Sequence, residues 1–224
     1  MSRTEDAHGT FRRPGGPLNA LVGLDAAATD EELVARCLAG DTECFNQLIV
    51  RWERPIYALA YRQLGHDEDA RDVCQDTFLR AFRALPGFKG QAKFSSWLYR
   101  IALNLCRDWL RRQRRTPIVP APDGVELEDL STGGQVDEPM EDVLARRQLS
   151  QSVAKAMRTL TSDQRSALIL KEYHGLTFQE IAELLDCPLS TVKTRLYQGL
   201  TVLRRELERE GIAPGAQAKS VGAP

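Results

Sequence analysis

Apolar side chains recur at intervals of three and four residues along most of this 224-residue chain, and such spacing predicts amphipathic helices. The clearest predicted helix lies between Asp67 and Pro86. Its apolar and small positions are Ala70, Val73, Cys74, Thr77, Phe78, Ala81, Phe82 and Leu85. No segment of any length shows the two-residue alternation of a half-buried strand. The pattern therefore predicts an all-α protein.

Four helices are predicted between residues 29 and 115. The first begins at a capping box formed by Thr29 and Glu32 and ends at Gly40. Its buried side is predicted to consist of Leu33, Val34, Cys37 and Leu38. The second starts near Asp41 and contains Pro55, which should reset or kink the chain. The fourth should bury Phe94, Trp97, Leu98, Ile101, Ala102, Leu105 and Trp109. These faces can close around one core of small-domain size.

A second helical domain is predicted beyond residue 140. Its first helix is marked by Val143, Leu144, Leu149, Val153, Met157 and Leu160. Thr161 and Gln164 can cap the next helix, and Gly175 ends it. Between the domains, residues 116–139 hold four prolines and three glycines without an apolar period, which is typical of a linker. We therefore expect disordered tails at 1–28 and 211–224, domains at 29–115 and 141–210, and a flexible acidic linker at 116–140.

The last two predicted helices have the spacing of a helix-turn-helix, whose second helix enters the major groove of duplex DNA. Thr177 and Glu180 form a capping box for the first of them. Asp186 lies in the turn, where its side chain tolerates a left-handed backbone. The predicted buried positions are Phe178, Ile181, Leu184 and Leu185, followed by Val192, Leu196, Leu200, Leu203 and Leu207.

The free side of the second helix carries groups that suit base edges and phosphates. These residues are Ser190, Thr191, Lys193, Thr194, Arg195, Tyr197 and Gln198. A plain amphipathic helix with a solvated basic face is the alternative interpretation. It leaves the capping box, the tight turn and the acid-free face as coincidences. Spacing alone does not say which side chain touches a base and which a phosphate.

Charge is segregated along the chain, although the net charge is only −1. Residues 89–115 hold eight Lys/Arg and one acid, and residues 188–205 hold four Lys/Arg and no acid. Residues 123–142 hold eight Asp/Glu and no Lys or Arg. The near-neutral total therefore does not argue against a DNA-binding protein, because two basic surfaces are offset by one acidic segment.

The first basic segment is also aromatic, with five of the fifteen aromatic residues between positions 88 and 115. Cations follow a phosphate backbone and rings stack on unpaired bases, so the combination indicates a surface for melted DNA. A polar ribbon opposite the predicted core consists of Arg100, Asn104, Arg107 and Arg111. The loop before it, residues 86–95, could fold over an extruded base, with Lys93 for phosphate and Ser95 and Ser96 nearby. The alternative is a solvated arginine face over a core of Phe94, Trp97 and Trp109. We prefer the core interpretation for the two tryptophans.

Other features of the sequence exclude several classes. Five cysteines without a C-x-x-C pair indicate reduced thiols packed as small apolar residues. His8, His66 and His174 have no paired nucleophile, H-E-x-x-H motif or phosphate-binding glycine loop, so we expect neither an enzyme nor a cofactor or metal. No apolar run reaches the ~18 to 20 residues of a membrane helix, and no signal-peptide pattern is present. We therefore expect a cytoplasmic protein.

Three stretches resemble the extracytoplasmic-function (ECF) sigma factors, the smallest promoter-recognition subunits of bacterial RNA polymerase. Residues 69–85, DARDVCQDTFLRAFRAL, are similar to the core-binding helix of the family. Residues 88–112 are similar to its minus-ten melting segment and residues 176–207 to its minus-thirty-five reader. The resemblance covers roughly residues 29–210. It implies a stress-responsive factor that directs core polymerase to specific promoters and opens the minus-ten element.

The resemblance also implies roles for individual residues. The core-polymerase face, on the clamp helices of the largest subunit, would be Asp72, Gln75, Asp76 and Leu79. The minus-ten residues would be Lys93, Phe94, Ser95, Ser96, Arg100, Asn104, Arg107 and Arg111. The minus-thirty-five residues would be Ser190, Thr191, Lys193, Thr194, Arg195 and Gln198. Contact with the polymerase flap and control by an anti-sigma factor are further implications.

Two departures from the family are the long tail before Thr29 and Gln198, where family members often carry a basic residue. The linker of 24 residues can reach about 80 Å at ~3.3 Å each. It would thread the polymerase cleft, where its acids could mimic nucleic acid. The competing hypothesis is a stand-alone helix-turn-helix regulator. That hypothesis leaves the melting segment unexplained and does not need the face from Asp72 to Leu79.

Overall fold

The computed structural model describes residues 28–113 and 140–212, and all regular structure within these two ranges is helical. The first range contains α1 Asp30–Leu38, α2 Glu43–Leu64, α3 Asp67–Ala84 and α4 Phe94–Gln113. The second contains α5 Met140–Arg158, α6 Ser162–Leu168, α7 Phe178–Leu185 and α8 Leu189–Arg209. A short 3-10 turn, Leu85–Gly87, follows α3, and a π-helical segment, Ile169–Tyr173, follows α6. The all-α prediction is confirmed. The acidic linker and the tails fall almost wholly outside the described residues.

Local capping signals place the helix starts where the sequence predicted them. The backbone N–H of Thr29 donates to the Glu32 carboxylate at 2.7 Å, and Glu32 donates back to the Thr29 hydroxyl at 3.2 Å. Two further capping boxes start α6 and α7 in the same way. Each box satisfies backbone N–H groups that the first helical turn leaves without a partner.

Helix α2 is a single helix that includes Pro55, so the chain is not restarted there. Proline removes one backbone donor, but Ile56 and Leu59 on either side of the next turn are completely buried, and their packing holds the helix together. The helix ends at Gly65, which adopts φ 82° and donates its N–H to the Tyr61 carbonyl at 2.8 Å.

The core of the first domain lies between α2, α3 and α4, with α1 packed on α2. Its completely buried side chains include Leu33, Leu48, Ile56, Leu59, Phe94 and Leu98. Trp97 and Trp109 are only half-buried at its edge. On α4 the structure also buries Tyr99, Leu103 and Cys106, which the predicted stripe did not include. This helix is buried more widely because it contacts the second domain as well as its own.

Several apolar residues assigned to buried stripes are exposed. Leu38 is 49% exposed because it is the last residue of a nine-residue helix. Phe82 is 50% exposed, although its ring centroid lies 5.0 Å from that of Phe45. On α5, Leu144 and Leu149 are 56% and 38% exposed. On α8, Leu200 is 37% exposed because the neighbouring Gly199 faces α6 instead. A three- and four-residue spacing predicts a helical face, but its edges depend on the partner helices.

The helix-turn-helix of the second domain is formed by α7 and α8. Asp186 adopts φ 50° and ψ 55°, the left-handed conformation predicted for the turn. Ile181, Leu184, Val192 and Leu196 are buried between these helices and the rest of the domain. Helix α8 also packs closely on α6, since a Cβ added at Gly199 would lie 3.5 Å from the Cβ of Gln164.

The two domains contact each other along a seam where α2 and α4 meet α6, α7 and the π-helical segment. The Gln63 side-chain amide donates to the Ser166 hydroxyl at 2.6 Å. The buried guanidinium of Arg165 donates to carbonyls of its own domain and to the Gln63 carbonyl of the other domain. These bonds matter because an unpaired buried polar group costs ~1 to 3 kcal/mol.

We predict that two leucines of α1 differ sharply in their effect on stability. Leu33→Ala should lower the free energy of unfolding by about 2 to 5 kcal/mol, because it opens a cavity at a completely buried position. Leu38→Ala should cost less than about 1 kcal/mol, since Leu38 is half-exposed. Urea unfolding followed by circular dichroism measures both. Equal losses for the two variants would contradict the helix orientation described here.

Candidate nucleic-acid interface

The loop before α4 is anchored by a cluster of three aromatic rings. The ring centroid of Phe88 lies 5.0 Å from that of Trp97 and 6.1 Å from that of Phe94. Lys93 is the last residue before the helix, and its carbonyl accepts the Trp97 N–H at 3.1 Å. Lys93 therefore stands at a well-defined position on the surface.

Three predicted minus-ten residues differ from expectation in their location. Ser95 and Ser96 lie in the first turn of α4 and are half-buried, so the loop ends two residues earlier than predicted. Phe94 is completely buried between Phe88 and Trp97. Its assignment as a DNA-contacting residue is therefore wrong for this structure, since its ring belongs to the core that supports the loop.

The polar ribbon, defined by Arg100, Asn104, Arg107 and Arg111, lies on the outer side of α4 as predicted. The guanidinium of Arg107 donates to the Asn104 side-chain oxygen at 3.3 Å, and Arg111 lies 3.8 Å from the Asp108 carboxylate. Exposed pairs of this kind contribute less than about 1 kcal/mol. Phosphate oxygens can therefore replace these partners at small cost.

The second domain reaches the N-terminal end of this ribbon. The Nζ of Lys93 lies 2.8 Å from Oε1 of Glu180, and the guanidinium of Arg100 donates to the Glu183 carbonyl at 2.5 Å. Between them, the Tyr99 hydroxyl lies 2.9 Å from Nδ1 of His174, with ring centroids 4.8 Å apart. Helix α7 and the residue after the π-helical segment thus lie directly on the N-terminal end of α4.

The electrostatics of Glu180 reflect this contact. The ammonium of Lys93, together with the backbone and hydroxyl donors of Thr177, lowers the pKa of Glu180 to about 2. The pKa of Lys93 is correspondingly raised by its hydrogen bond to Glu180. Both groups are charged at neutral pH. The carboxylate of Glu180 therefore caps the N-terminus of α7 and also pairs with the ammonium of Lys93 at the start of α4.

The predicted duplex-reading residues of α8 are gathered on its outer side. Ser190, Lys193, Thr194 and Gln198 are exposed, and Thr191 is half-buried. Arg195 is different, because its guanidinium donates to the Asp163 carboxylate at 2.5 Å. This pair ties the start of α6 to the recognition helix, so Arg195 is oriented by its own domain.

The predicted core-polymerase face is exposed on α3. Asp72, Gln75 and Asp76 are exposed, and Leu79 is 39% exposed. The structure adds Phe82, one turn further along, with half of its surface exposed. The sequence pattern placed Phe82 in the core, because its spacing fits the buried stripe as well as the outer face.

Several residues of the seam were missed as functional positions. No sequence pattern pointed to Tyr99 or His174 as a contact between the domains. The same holds for the guanidinium of Arg62, which lies 4.0 Å from the centroid of the Tyr173 ring. Glu180 was identified only as a helix cap. The partners in the Tyr99 and Lys93 contacts are 75 and 87 residues apart in the chain, so no local pattern could connect them.

The five cysteines form no disulfide in the structure. Burial raises the pKa of Cys37 to about 11 and the pKa of Cys74 and Cys106 to about 12, which favours the protonated thiol over the thiolate. Within residues 28–113 and 140–212, no group of His, Cys, Asp and Glu side chains could hold a metal ion. None of the helices in these ranges is long and apolar enough to span a membrane.

Comparison with known proteins identifies both domains. The family profile of Sigma-70 region 2 matches residues 48–116, and that of Sigma-70, region 4 matches residues 150–203. The ECF RNA polymerase sigma-E factor of Salmonella typhi is 35% identical over 182 residues, which cover 80% of this chain and 95% of that protein. The factor of the same name from Haemophilus influenzae is 32% identical over 185 residues, covering 80% of this chain and 96% of the other.

Two solved structures share the arrangement of helices. CnrH, in complex with the cytosolic domain of CnrY, covers 81% of this chain and 98% of its own at 25% identity, with a TM-score of 0.57. The sigma factor RpoE, solved with the anti-sigma factor NepR from Bartonella quintana, covers 73% of this chain and 96% of its own at 22% identity, with a TM-score of 0.59. At 22% identity, the similarity to RpoE is a similarity of fold.

The fold and the matches to both sigma-70 families define a two-domain sigma factor. Such a protein is a non-enzymatic DNA-binding subunit for transcription initiation. Within that class, the chain belongs to the ECF sigma factors, which direct RNA polymerase to promoters. The family predicted from the sequence is thereby confirmed. A stand-alone regulator is set aside, because both sigma regions are present in the expected order.

We predict that the seam loosens in mild acid. Burial, with Arg62 nearby, lowers the pKa of His174 from 6.5 to about 4. Once the domains separate, the exposed imidazole binds a proton near its ordinary pKa, so the separated state gains stability as the pH falls from about 6.5 towards 4. Above this range both states are neutral and the contact is at full strength.

Amide hydrogen exchange in residues 94–105, corrected for the intrinsic rate, should therefore be faster at pH 5 than at pH 7. His66→Asn changes the histidine at the N-cap of α3 and should leave the pH effect in place. His174→Asn should flatten it. Equal corrected exchange at both pH values in the native chain would contradict the role given to His174.

Proposed function

We propose that the start of α4 and its polar ribbon capture an unpaired minus-ten base while the outer face of α8 reads the minus-thirty-five element. The observation that carries the proposal is the presence of two exposed cationic helix faces in one near-neutral sigma factor. Lys93, Ser95 and Ser96 would surround the base, and the ribbon would follow the backbone of the non-template strand. Binding an extruded base would offset the few kcal/mol lost on unstacking, so opening would need no ATP.

On α8, the proposal assigns duplex contacts to the exposed residues and treats Arg195 separately. Lys193 and Gln198 can reach base edges or phosphates directly. Arg195 would contact DNA only in a geometry compatible with its Asp163 partner, or after leaving it. We infer that Arg195 helps to orient α8 and adds positive charge at the groove.

The proposal assigns polymerase binding to the exposed face of α3. Asp72, Gln75, Asp76 and Leu79 would dock on the clamp helices of the largest subunit, and the exposed ring of Phe82 would extend that contact. The second domain would contact the polymerase flap. The factor would therefore act in the cytoplasm, with the polymerase, on a stress-responsive set of promoters.

An anti-sigma factor is the regulatory partner that we propose. Support comes from the family and from the similar RpoE fold, which was solved with the anti-sigma factor NepR. The mixed polar and apolar face of α3 suits such a partner, because covering it would also block the polymerase. The linker predicted at 116–140, of which the structure describes only Met140, keeps its proposed place in the polymerase cleft.

We predict that the ribbon is needed for opening rather than for assembly. Asn104→Ala/Arg107→Ala should reduce run-off transcription from a promoter library at least about tenfold, since direct contacts of this kind contribute ~1 to 3 kcal/mol each. Templates with a premelted minus-ten element should recover most of the loss. Arg54→Ala, an exposed arginine of α2, serves as the control. Full activity of the double variant on duplex promoters would remove the ribbon from the proposal.

We predict that the α3 face is needed for polymerase binding. Gln75→Ala/Asp76→Ala should weaken binding to core polymerase at least about tenfold, because it removes two exposed polar groups from the proposed contact. Fluorescence anisotropy with labelled full-length protein measures the dissociation constant. Glu68→Ala changes an exposed carboxylate in the first turn of the same helix and should have little effect. Unchanged binding and initiation by the double variant would remove this assignment.

A further inference from the structure

We propose that a cavity between the end of α2 and the C-terminal part of α5 is a binding site for a small carboxylic acid with an apolar body. The cavity has a volume of about 260 Å³ and is lined by residues of both domains. None of them is among the residues proposed above to contact DNA or the clamp helices, so the inference lies beyond the proposed function. The class of ligand follows from the charge, the apolar surface and the size of the cavity.

Positive charge outweighs negative charge in the lining of the cavity. Among the described residues that line it, none is an aspartate or a glutamate, and four are arginines: Arg62, Arg146, Arg158 and Arg165. Asp67, two residues beyond the cavity-lining Gly65, is already paired with the Tyr57 hydroxyl at 2.5 Å and the Arg71 guanidinium at 3.0 Å. A cleft with charge of one sign raises the local concentration of the opposite ion. The cavity therefore favours an anion.

Arg62 is the arginine best placed to hold a carboxylate. Its guanidinium lies 4.0 Å from the centroid of the Tyr173 ring and donates to the Ala58 carbonyl at 3.3 Å. Stacking uses the flat face of the guanidinium, whereas its N–H groups lie in the plane and fit a carboxylate as a fork. Burial lowers the pKa of Arg62, because the charged group has lost water there. A bound carboxylate would replace that water.

A second arginine forms a fixed floor of the cavity. Arg165 is buried and donates to the carbonyls of Met157 and Leu160 at 2.9 and 3.1 Å, and to that of Gln63 in the other domain. These acceptors hold the guanidinium in place, but carbonyls carry only partial charge and do not neutralise it. Burial, together with the charge of Arg158, lowers the pKa of Arg165. Arg165 thus adds positive potential without itself having to bind the ligand.

Apolar side chains line the same cavity. Leu149, Val153 and Met157 recur at intervals of four residues on α5. Leu149 is 38% exposed although its spacing predicts a buried position, and the cavity lies beside it. Tyr61 and Tyr173 contribute two rings, and Tyr173 is 45% exposed. A ligand with an apolar body would cover these side chains, and removing apolar surface from water favours binding.

The π-helical segment brings Tyr173 to the cavity. Its five residues, Ile169–Tyr173, form i to i+5 hydrogen bonds, as in the bond from the His174 N–H to the Ile169 carbonyl at 3.3 Å. Segments of this kind occur frequently at functional sites. Here the segment ends in the ring on which the guanidinium of Arg62 rests. The unusual winding therefore orients the group that would bind the carboxylate.

Size and charge narrow the ligand to a small monoanion. The volume of about 260 Å³ lies just below the ~300 to 1,000 Å³ of common ligand pockets, which suits roughly ten to fifteen heavy atoms. A phosphomonoester carries up to two charges, so taking it out of water beside apolar side chains costs more than doing so for a carboxylate. A neutral molecule would leave the arginines without a counter-charge. A carboxylate on an aromatic or branched body meets both requirements.

The test offers 4-isopropylbenzoate to the free full-length chain, because both domains build the cavity. A titration followed by NMR chemical shifts should give a dissociation constant of about 1 mM or lower, the ordinary efficiency for a ligand of about twelve heavy atoms. 4-Isopropylbenzyl alcohol has the same body without the charge, and acetate has the charge without the body. Each should bind at least about fivefold more weakly, since each lacks one of the two required groups.

Three variants locate the site. Arg62→Gln removes the charge, and Val153→Trp fills the cavity while leaving every arginine in place. Each should weaken binding of 4-isopropylbenzoate at least about fivefold. Arg54→Gln makes the same charge change at an exposed position eight residues earlier on α2 and should stay within about twofold of the native chain. Circular dichroism checks that each variant is folded.

A measurement on the native chain keeps the proposal testable if a variant does not fold. In the carbon-13-labelled native chain, nuclear Overhauser effects should connect protons of the ligand with methyl groups of Leu149, Val153 and Met157. Effects confined to other methyl groups would overturn the assignment. So would absent binding of 4-isopropylbenzoate, equal binding of the alcohol or acetate, or equal affinity of folded Arg62→Gln and Arg54→Gln variants. The transcription assay of the ribbon variant is independent of these results, so the proposed function is judged separately.

Discussion

Packing of α4 from two directions is the constraint on which the rest of the molecule depends. Its inner side completes the core of the first domain through Phe94 and Leu98, and Tyr99 on a second side meets the second domain. Only the outer strip is left to water, and that strip holds the polar ribbon. Because a buried helix cannot rotate without losing its core contacts, the cations are held in a fixed direction.

The same packing explains how a factor with a net charge of −1 can present two basic helix faces. Acids and bases are separated along the chain, and the fold brings selected members together. Lys93 and Glu180 come from different domains, yet they form one ion pair. The pair offsets the positive charge of Lys93 at the start of α4. Local charge is thus set by the packing as well as by the composition.

Local sequence accounts for much of the architecture. The capping boxes at Thr29, Thr161 and Thr177 and the left-handed Asp186 lie where the pattern placed them. Each of these features depends on residues within four positions, so a helix start or turn can be predicted without knowing its neighbours. The errors lie at the edges of helix faces. Leu38, Phe82 and Leu200 have helical spacing, but the surfaces beside them leave them partly exposed, and spacing does not contain that information.

The sequence by itself determined the helical class, the helix-turn-helix, the two basic segments and, through resemblance, the family. Those features follow from short-range periodicity, capping chemistry and charge order. Only the tertiary structure decided that Phe94 is core, that Arg195 is held by Asp163, and that Tyr99 and His174 meet across the seam. Those outcomes depend on how whole helices pack, because contacts between residues far apart in the chain are selected by the shape and burial of complete surfaces.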